Sequence, residues 1–293
     1  MKIKSPQDYL NPHNRKWDDL DFLLDTGDYV FQNAQAQAYY DAMVVEQGDE
    51  LWINSLYSIS INAYKQGLDN LFISGATDGW LARLKYWYLF QGSVGLANII
   101  NAVNVGTNNA TAFNSPTYGI NGATLNGTSQ YFTTTGFVQS TNGTLNSLTY
   151  FAKTVGVTTT GADAYVGALN SATQRNQLIQ QVGNSLQLSS YTTTDGAGRI
   201  SASATRNTFL LGTRRSSTDN ELYQDGVSIA TNSGGGGTRS TFQEYVGAVN
   251  NGGSPLNFVD GTLSTVGSAL SMTTAQQLSL YNAYTTFATL IGR

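Results

Sequence analysis

The chain has no cysteine, a single histidine and few charged residues: lysine, arginine, aspartate and glutamate make up 12% of its 293 residues, roughly half the usual share of about 25%. Without cysteine there are no disulfides and no thiolate metal sites. The one imidazole, His13, sits between Pro12 and Asn14 near the N-terminus, and no Gly-x-Ser-x-Gly elbow is present, so a Ser–His–Asp triad has no visible parts. The net charge is −4 and no basic run exceeds the pair Arg214-Arg215, which counts against nucleic acid as a partner because phosphate backbones need clustered cations. No apolar stretch approaches the roughly 18 residues of a membrane span. The first residues, Met1-Lys2-Ile3-Lys4-Ser5, lack the apolar segment of a secretory signal. The expectation is a soluble chain made in a cytoplasm, with no membrane insertion.

Few charges leave Asn, Thr, Ser and Gln to build the polar surface. They are concentrated in the second half, where short apolar alternations are broken by turn residues. The strongest local signal is residues 220–231. Two strand-like runs, 221–224 and 227–230, are separated by Asp225-Gly226, and Asp-Gly supplies the two positive-φ residues of a type I′ hairpin turn. Further strands are expected at 147–155, 164–169, 176–182, 185–190 and 208–213, with turns at Gly183-Asn184 and Asp195-Gly196, and the glycine tract 234–237 is expected to be a mobile loop. Thr273-Thr274-Ala275-Gln276 fits a capping box, predicting a C-terminal helix that carries Leu278, Tyr281, Tyr284 and Phe287.

The first third reads differently. Residues 1–33 contain Pro6, Pro12 and an acidic stretch, which disfavour a packed helix, yet hold Trp17, Phe22, Tyr29 and Phe31. They read as an extended arm, lying either on its own domain or on a neighbouring subunit; in the second case those four side chains carry the docking. Asn33 is placed to cap a helix ended by Gly48, Asp49 a second ended by Gly67, and Asp78 a third carrying Leu81 and Leu84. Residues 86–90, Tyr-Trp-Tyr-Leu-Phe, read as a strand. Residues 105–122 read as a linker.

Leu222-Tyr223-Gln224-Asp225-Gly226-Val227 resembles the hairpin of laminin-G-like, or concanavalin A-like, jelly-roll sandwiches. Four segments fall in the order of that family's landmarks: 125–132 (Leu-Asn-Gly-Thr-Ser-Gln-Tyr-Phe), 245–248 (Tyr-Val-Gly-Ala), 258–267 (Phe-Val-Asp-Gly-Thr-Leu-Ser-Thr-Val-Gly) and the tail 270–287. The resemblance implies a mainly β, antiparallel jelly-roll β-sandwich over residues 109–293, complete in itself, preceded by a small helical region (34–108) and the arm (1–33). Residues 80–90, Leu96-Ala97-Asn98 and Asn126-Gly127 further resemble the layout of bacteriophage virion proteins. That implies a virion surface structural protein, such as a head decoration, fibre, collar or tail appendage, whose partners are other virion proteins and copies of itself. The alternative is a module that recognises host-surface glycan.

Some hydrolases share this sandwich, but they need two closely spaced carboxylates. Glu221 and Asp225 come nearest, about 13 Å apart along a strand, against about 5–5.5 Å for retaining and about 6.5–9.5 Å for inverting enzymes. A non-enzyme is expected. Members of the resembled family bind calcium at one rim, where Asp163, Asp195 and Asp219 are the acids placed to serve. No Asp-x-Asp-x-Asp loop is present, so solvated turn aspartates and no cofactor are the expectation.

Overall fold

The structure is a computed structural model and describes residues 28–144, 146–158, 161–171, 174–190, 198–235 and 238–293. Its helices are α1 (Ala34–Gln47), α2 (Leu51–Tyr57), α3 (Ile61–Asp78), the single turns α4 (Gly95–Asn98) and α5 (Gln139–Asn142), and α6 (Thr274–Leu290). The strands are β1 (Leu84–Tyr88), β2 (Thr111–Phe113), β3 (Thr117–Gly119), β4 (Gly122–Asn126), β5 (Tyr131–Val138), β6 (Leu148–Val155), β7 (Asp163–Ser171), β8 (Gln174–Gln180), β9 (Ser185–Ser190), β10 (Arg199–Ser203), β11 (Phe209–Ser216), β12 (Asp219–Gln224), β13 (Val227–Asn232), β14 (Gln243–Val246), β15 (Val249–Asn251), β16 (Ser254–Leu256) and β17 (Asp260–Ala269).

The strands form two sheets packed as an antiparallel sandwich. Sheet A has the order β13-β12-β11-β6-β17-β4-β3, with β1 paired to β17; sheet B runs β10-β9-β8-β7-β14-β5-β2, with β15 and β16 added beside β7. The chain crosses repeatedly between sheets, as in a jelly roll. Between them lie Tyr86, Tyr88, Phe132, Tyr150, Tyr165, Leu188, Leu210, Leu222 and Val266, all fully buried.

The middle strands of sheet A, β1, β17, β6, β11 and β12, are largely buried on both faces. Alternate residues of its strands, Trp87, Phe151, Phe209, Leu211 and Tyr223, turn away from the sandwich into a second core with Tyr39, Tyr64, Phe72, Leu280, Tyr284 and Phe287 of α1, α3 and α6. A strand buried on both faces reads as a continuous apolar run, which explains residues 86–90. Three layers therefore stack: helices, sheet A, sheet B. The boundary expected after residue 108 cuts through this packing, because β1 is hydrogen-bonded to β17 from Leu84↔Ala269 to Tyr88↔Val266. Residues 105–122 are likewise more than a linker, since β2 and β3 join sheets B and A there.

Several local expectations hold in detail. Asn33 caps α1, its side-chain oxygen accepting from the Gln35 and Ala36 N–H groups, and Gly48 ends it at φ 89°. Thr273 and Gln276 form the capping box of α6. Asp225 and Gly226 have φ of 49° and 76°, joining β12 and β13 as the paired turn Gln224↔Val227.

Others do not hold. The second helix stops at Tyr57 and a new one begins at the Ser60 cap, running straight through Gly67. That glycine does not end a helix; it lets two helices cross closely, since a Cβ there would come within 2.2 Å of Leu290 Cδ2. Asp78 closes α3 instead of starting a helix, Leu81–Arg83 forms one 3₁₀ turn and Leu84 begins β1. The segment 125–132 is split between β4 in sheet A and β5 in sheet B. Asp195-Gly196, and the glycine tract from 236 to 237, lie outside the described residues.

Candidate functional site

The helices cover the outer face of sheet A, so the outer face of sheet B is the broad surface left for other work. Alternation decides what it presents. In β5, Phe132 and Thr134 point into the sandwich and are fully buried, which turns Tyr131 and Thr133 outward. In β14, Val246 and Glu244 point inward and Tyr245 outward. The register then sets Phe113 opposite Tyr131 and Tyr245 opposite Thr133.

These outward rings form a shelf. Phe113 and Tyr131 stack face to face, centroids 4.7 Å apart and planes 6° off parallel. Tyr131 meets Tyr245 at 4.8 Å and the edge of Phe258 at 6.1 Å. Tyr131 and Tyr245 are buried, whereas Phe113 at the end of the row is 38% exposed. Burial pushes both tyrosine hydroxyls above their ordinary range, so they are neutral donors.

The exposed ring is held firmly. Asn114 and Ser115, directly after it, both have left-handed φ, 58° and 56°, a conformation that costs a non-glycine residue about 1 kcal/mol or more. The Gln130 amide donates to both of their carbonyls at 2.9 Å, and the Asn114 amide donates to the Ser129 carbonyl at 2.8 Å. The Asn126 side-chain oxygen in turn accepts from the backbone N–H groups of Thr128, Ser129 and Gln130. A fixed apolar ring face bordered by amides and hydroxyls suits a ligand with one apolar face and many hydroxyls.

The residues singled out in the sequence lie elsewhere. Trp17 and Phe22 are outside the described residues. Tyr29 and Phe31 turn onto this chain's own helices, which corrects their expected role on a neighbour. Asp69 is fully buried and needs donors; it accepts from the Tyr29 hydroxyl at 2.8 Å and from the Gln32 and Asn33 N–H groups at 2.8 and 2.9 Å. Phe31 packs on Tyr40 at 5.4 Å.

Of the calcium candidates, Asp163 is buried against Arg206 and also accepts from the Asp260 N–H. Asp219 pairs with Arg215 at 2.8 Å, and Asp195 lies outside the described residues. Neither described carboxylate keeps its oxygens free for a cation. Among the described residues there is no group of three or more His, Asp or Glu side chains able to hold a metal, and no helix long and apolar enough to cross a membrane.

Three further acids of the sandwich are also committed. Glu221 pairs with Arg215, and the Asp225 carboxylate accepts from the Phe209 N–H at 2.9 Å. Glu244 lies fully buried between the sheets, accepting from the hydroxyls of Tyr86 and Tyr150 and, at 2.8 Å, from the Asn176 amide. Burial pushes its carboxyl up to about 7, those donors pulling the other way.

Sequence reasoning passed over the shelf. Tyr131, Tyr245 and Phe258 appeared only as landmarks of a fold, and Phe113 fell in a presumed linker. The available signal was the alternation Tyr131-Phe132, which sends neighbouring rings to opposite faces.

No protein-family profile matches the chain, and no curated protein does. Among solved structures, it is similar to domain 4 of AbnA, a GH43 extracellular arabinanase from Geobacillus stearothermophilus in complex with arabinotriose (TM-score 0.48, 13% identity, 68% of this chain and 98% of that one). It is also similar to a mutant Trypanosoma rangeli sialidase displaying trans-sialidase activity (TM-score 0.46, 14% identity), covering 76% of this chain but only 39% of the sialidase. A third similar structure is the CBM40 of Ruminococcus gnavus IT-sialidase bound to alpha2,3 sialyllactose (TM-score 0.35, 12% identity, 45% of this chain and 79% of that one). These are likenesses of fold alone.

Proposed function

We propose that the chain is a glycan-binding module without enzymatic activity, and that the Phe113–Tyr131–Tyr245 shelf is its platform. The observation that carries this reading is the exposed Phe113 ring, stacked on Tyr131 and fixed by two left-handed residues that Gln130 braces. Backbone strain beside an exposed aromatic is what a preorganised contact needs, because the ring pays no ordering entropy when a sugar face meets it. The non-enzymatic part is supported by the commitment of Glu221, Asp225, Asp163 and Glu244 to structural partners. The test is an oligosaccharide array followed by calorimetry on wild type and Phe113→Ala. Binding that weakens about tenfold or more, as loss of a stacking contact and its buried area implies, with unchanged melting, supports the shelf. Binding that Phe113→Ala leaves intact removes it.

The setting we infer, from the order of sequence motifs, is display on a bacteriophage particle through residues 1–33. Deleting residues 1–27, which leaves Tyr29, Gln32 and the Asn33 cap in place, is expected to reduce copy number in purified particles. Incorporation at normal copy number in the deletion variant would refute that placement.

A further inference from the structure

The helical layer has an outer face of its own. There α3 and α6 lie side by side, and a groove of about 640 Å³ runs between them. One end lies at Ala63 and Leu290, the other at Asp78 and Ser279. From Ala63 to Asp78, at about 1.5 Å per helical residue, its length is about 22 Å. The floor is apolar, formed by Leu71, Phe287 and Leu290, and Leu290 is 39% exposed. The rim holds the amides of Gln66, Asn70 and Asn282. Helix α6 has no charged residue from Thr274 to Leu290, and among the described residues lining the groove Asp78 alone is charged. A charge-poor strip over an apolar floor has the composition of the buried centre of an interface.

The path of the chain points to the occupant. The Tyr29 N–H donates to the Asn62 side-chain oxygen at 3.0 Å. That roots the preceding segment one helical turn before Gln66, at the Ala63 end of the groove. Residues 1–27 lie outside the described residues, and they adjoin this root. Residues 19–25 read Asp-Leu-Asp-Phe-Leu-Leu-Asp. An extended run of seven residues spans about 23 Å, which matches the groove.

We propose that residues 19–25 of this chain lie extended in the α3–α6 groove. Two-residue alternation sets Leu20, Phe22 and Leu24 on one side of such a run, and Asp19, Asp21 and Asp25 on the other. The apolar side covers Leu71, Phe287 and Leu290. The acids face the rim, where amides donate to them. The run is antiparallel to α3, with Asp25 near Ala63 and Asp19 near Asp78. Attachment at Tyr29 gives the segment an effective concentration on the order of millimolar, which favours it over a second copy. Residues 1–16 are left for the particle contact, and the inference does not depend on the glycan reading.

The chain has no cysteine, so introduced thiols report unambiguously. In the full chain Asp21→Cys is paired with Asn70→Cys on the rim and, as control, with Asn251→Cys, exposed on sheet B. Under mild oxidation the Asn70 pair is expected to close within the monomer about tenfold or more faster than the control. A single Thr286→Cys on the rim is then labelled with a maleimide, with and without Phe22→Ala. Loss of the Phe22 contact is expected to speed labelling about tenfold.

Equal closure rates for the two pairs overturn the proposal. Disulfides that form only between chains overturn it and place a second copy on this face. Labelling that Phe22→Ala leaves unchanged overturns it as well, and this arm decides alone where the double-thiol variants fail to fold.

Discussion

The two outer faces of the sandwich are built from the same alternation and end up opposite in character. On sheet A the outward residues are Trp87, Phe151, Phe209, Leu211 and Tyr223, and the helices bury them completely. On sheet B the outward residues include Thr111, Thr133, Arg175, Gln177, Ser189 and Arg199, with a small apolar cluster, Ala164, Leu169 and Ile179, covered by the β15–β16 hairpin and one aromatic shelf at the end. An apolar outer face needs a cover, and a polar one does not. Composition of the outward positions therefore decides where the third layer sits and which face is left for ligands.

The largest test of this contrast removes the cover. A protein comprising residues 109–293 lacks β1, α1, α2 and α3, and exposes the aromatic face of sheet A. It is expected to aggregate or to lose a cooperative thermal transition, as read by calorimetry, although the resemblance alone implies a complete core there. Cooperative unfolding of that fragment would show that the two cores are separable.

A single core change comes next. Trp87 is fully buried between sheet A and the helices, and its indole N–H donates to Thr265 Oγ1 at 2.7 Å. Trp87→Ala is expected to cost about 3–5 kcal/mol in denaturant unfolding. The corresponding outward change on sheet B, Phe113→Ala, is expected to stay under about 1 kcal/mol because the ring is already partly in water. Equal costs at the two positions would remove the contrast between the faces.

Between those extremes lies the interior. The Glu244 carboxyl sits at about 7 in the fold against an ordinary 4.5. The folded state therefore holds this proton more tightly than the unfolded chain does. Its contribution is fully present below about pH 4.5 and is lost as pH rises through about 7, a change on the order of 3 kcal/mol. Glu244→Gln is expected to abolish this dependence in melting curves taken from about pH 4 to about pH 8. A wild-type profile without that fall would mean that the tyrosine and asparagine donors stabilise the ionised form fully.

At the hairpin, Gly226→Val places a branched side chain at φ 76° and against Tyr281 and Leu278 of α6. A loss of about 1–3 kcal/mol is expected. Unfolding that matches wild type would mean the turn readily adopts another geometry.

Much of the fold was readable because its signals are local. The Asn33 cap, the Gly48 stop, the Asp225-Gly226 turn and the Thr273–Gln276 box each depend on a few adjacent residues satisfying their own backbone. Gly67 misled because a glycine that ends a helix and one that lets Leu290 approach look the same in a sequence. Tyr29 misled for a related reason: its buried acceptor, Asp69, lies 40 residues away.

The site was harder to read than the fold. Phe113 matters only because β2 pairs with β5 and stacks it on Tyr131, and no spacing within residues 105–122 encodes that pairing. Sequence alone determined the turns, the caps, the two-residue alternation and the exclusion of thiol and clustered-cation chemistry, since these follow from backbone preference and composition. Tertiary structure decided that the helices share a core with sheet A, that Asp163, Asp219, Glu221, Asp225 and Glu244 are committed to arginine, backbone, tyrosine and amide partners, and that the rings meet on one face. Those outcomes depend on contacts between residues far apart in the chain, which form only once both sheets are assembled.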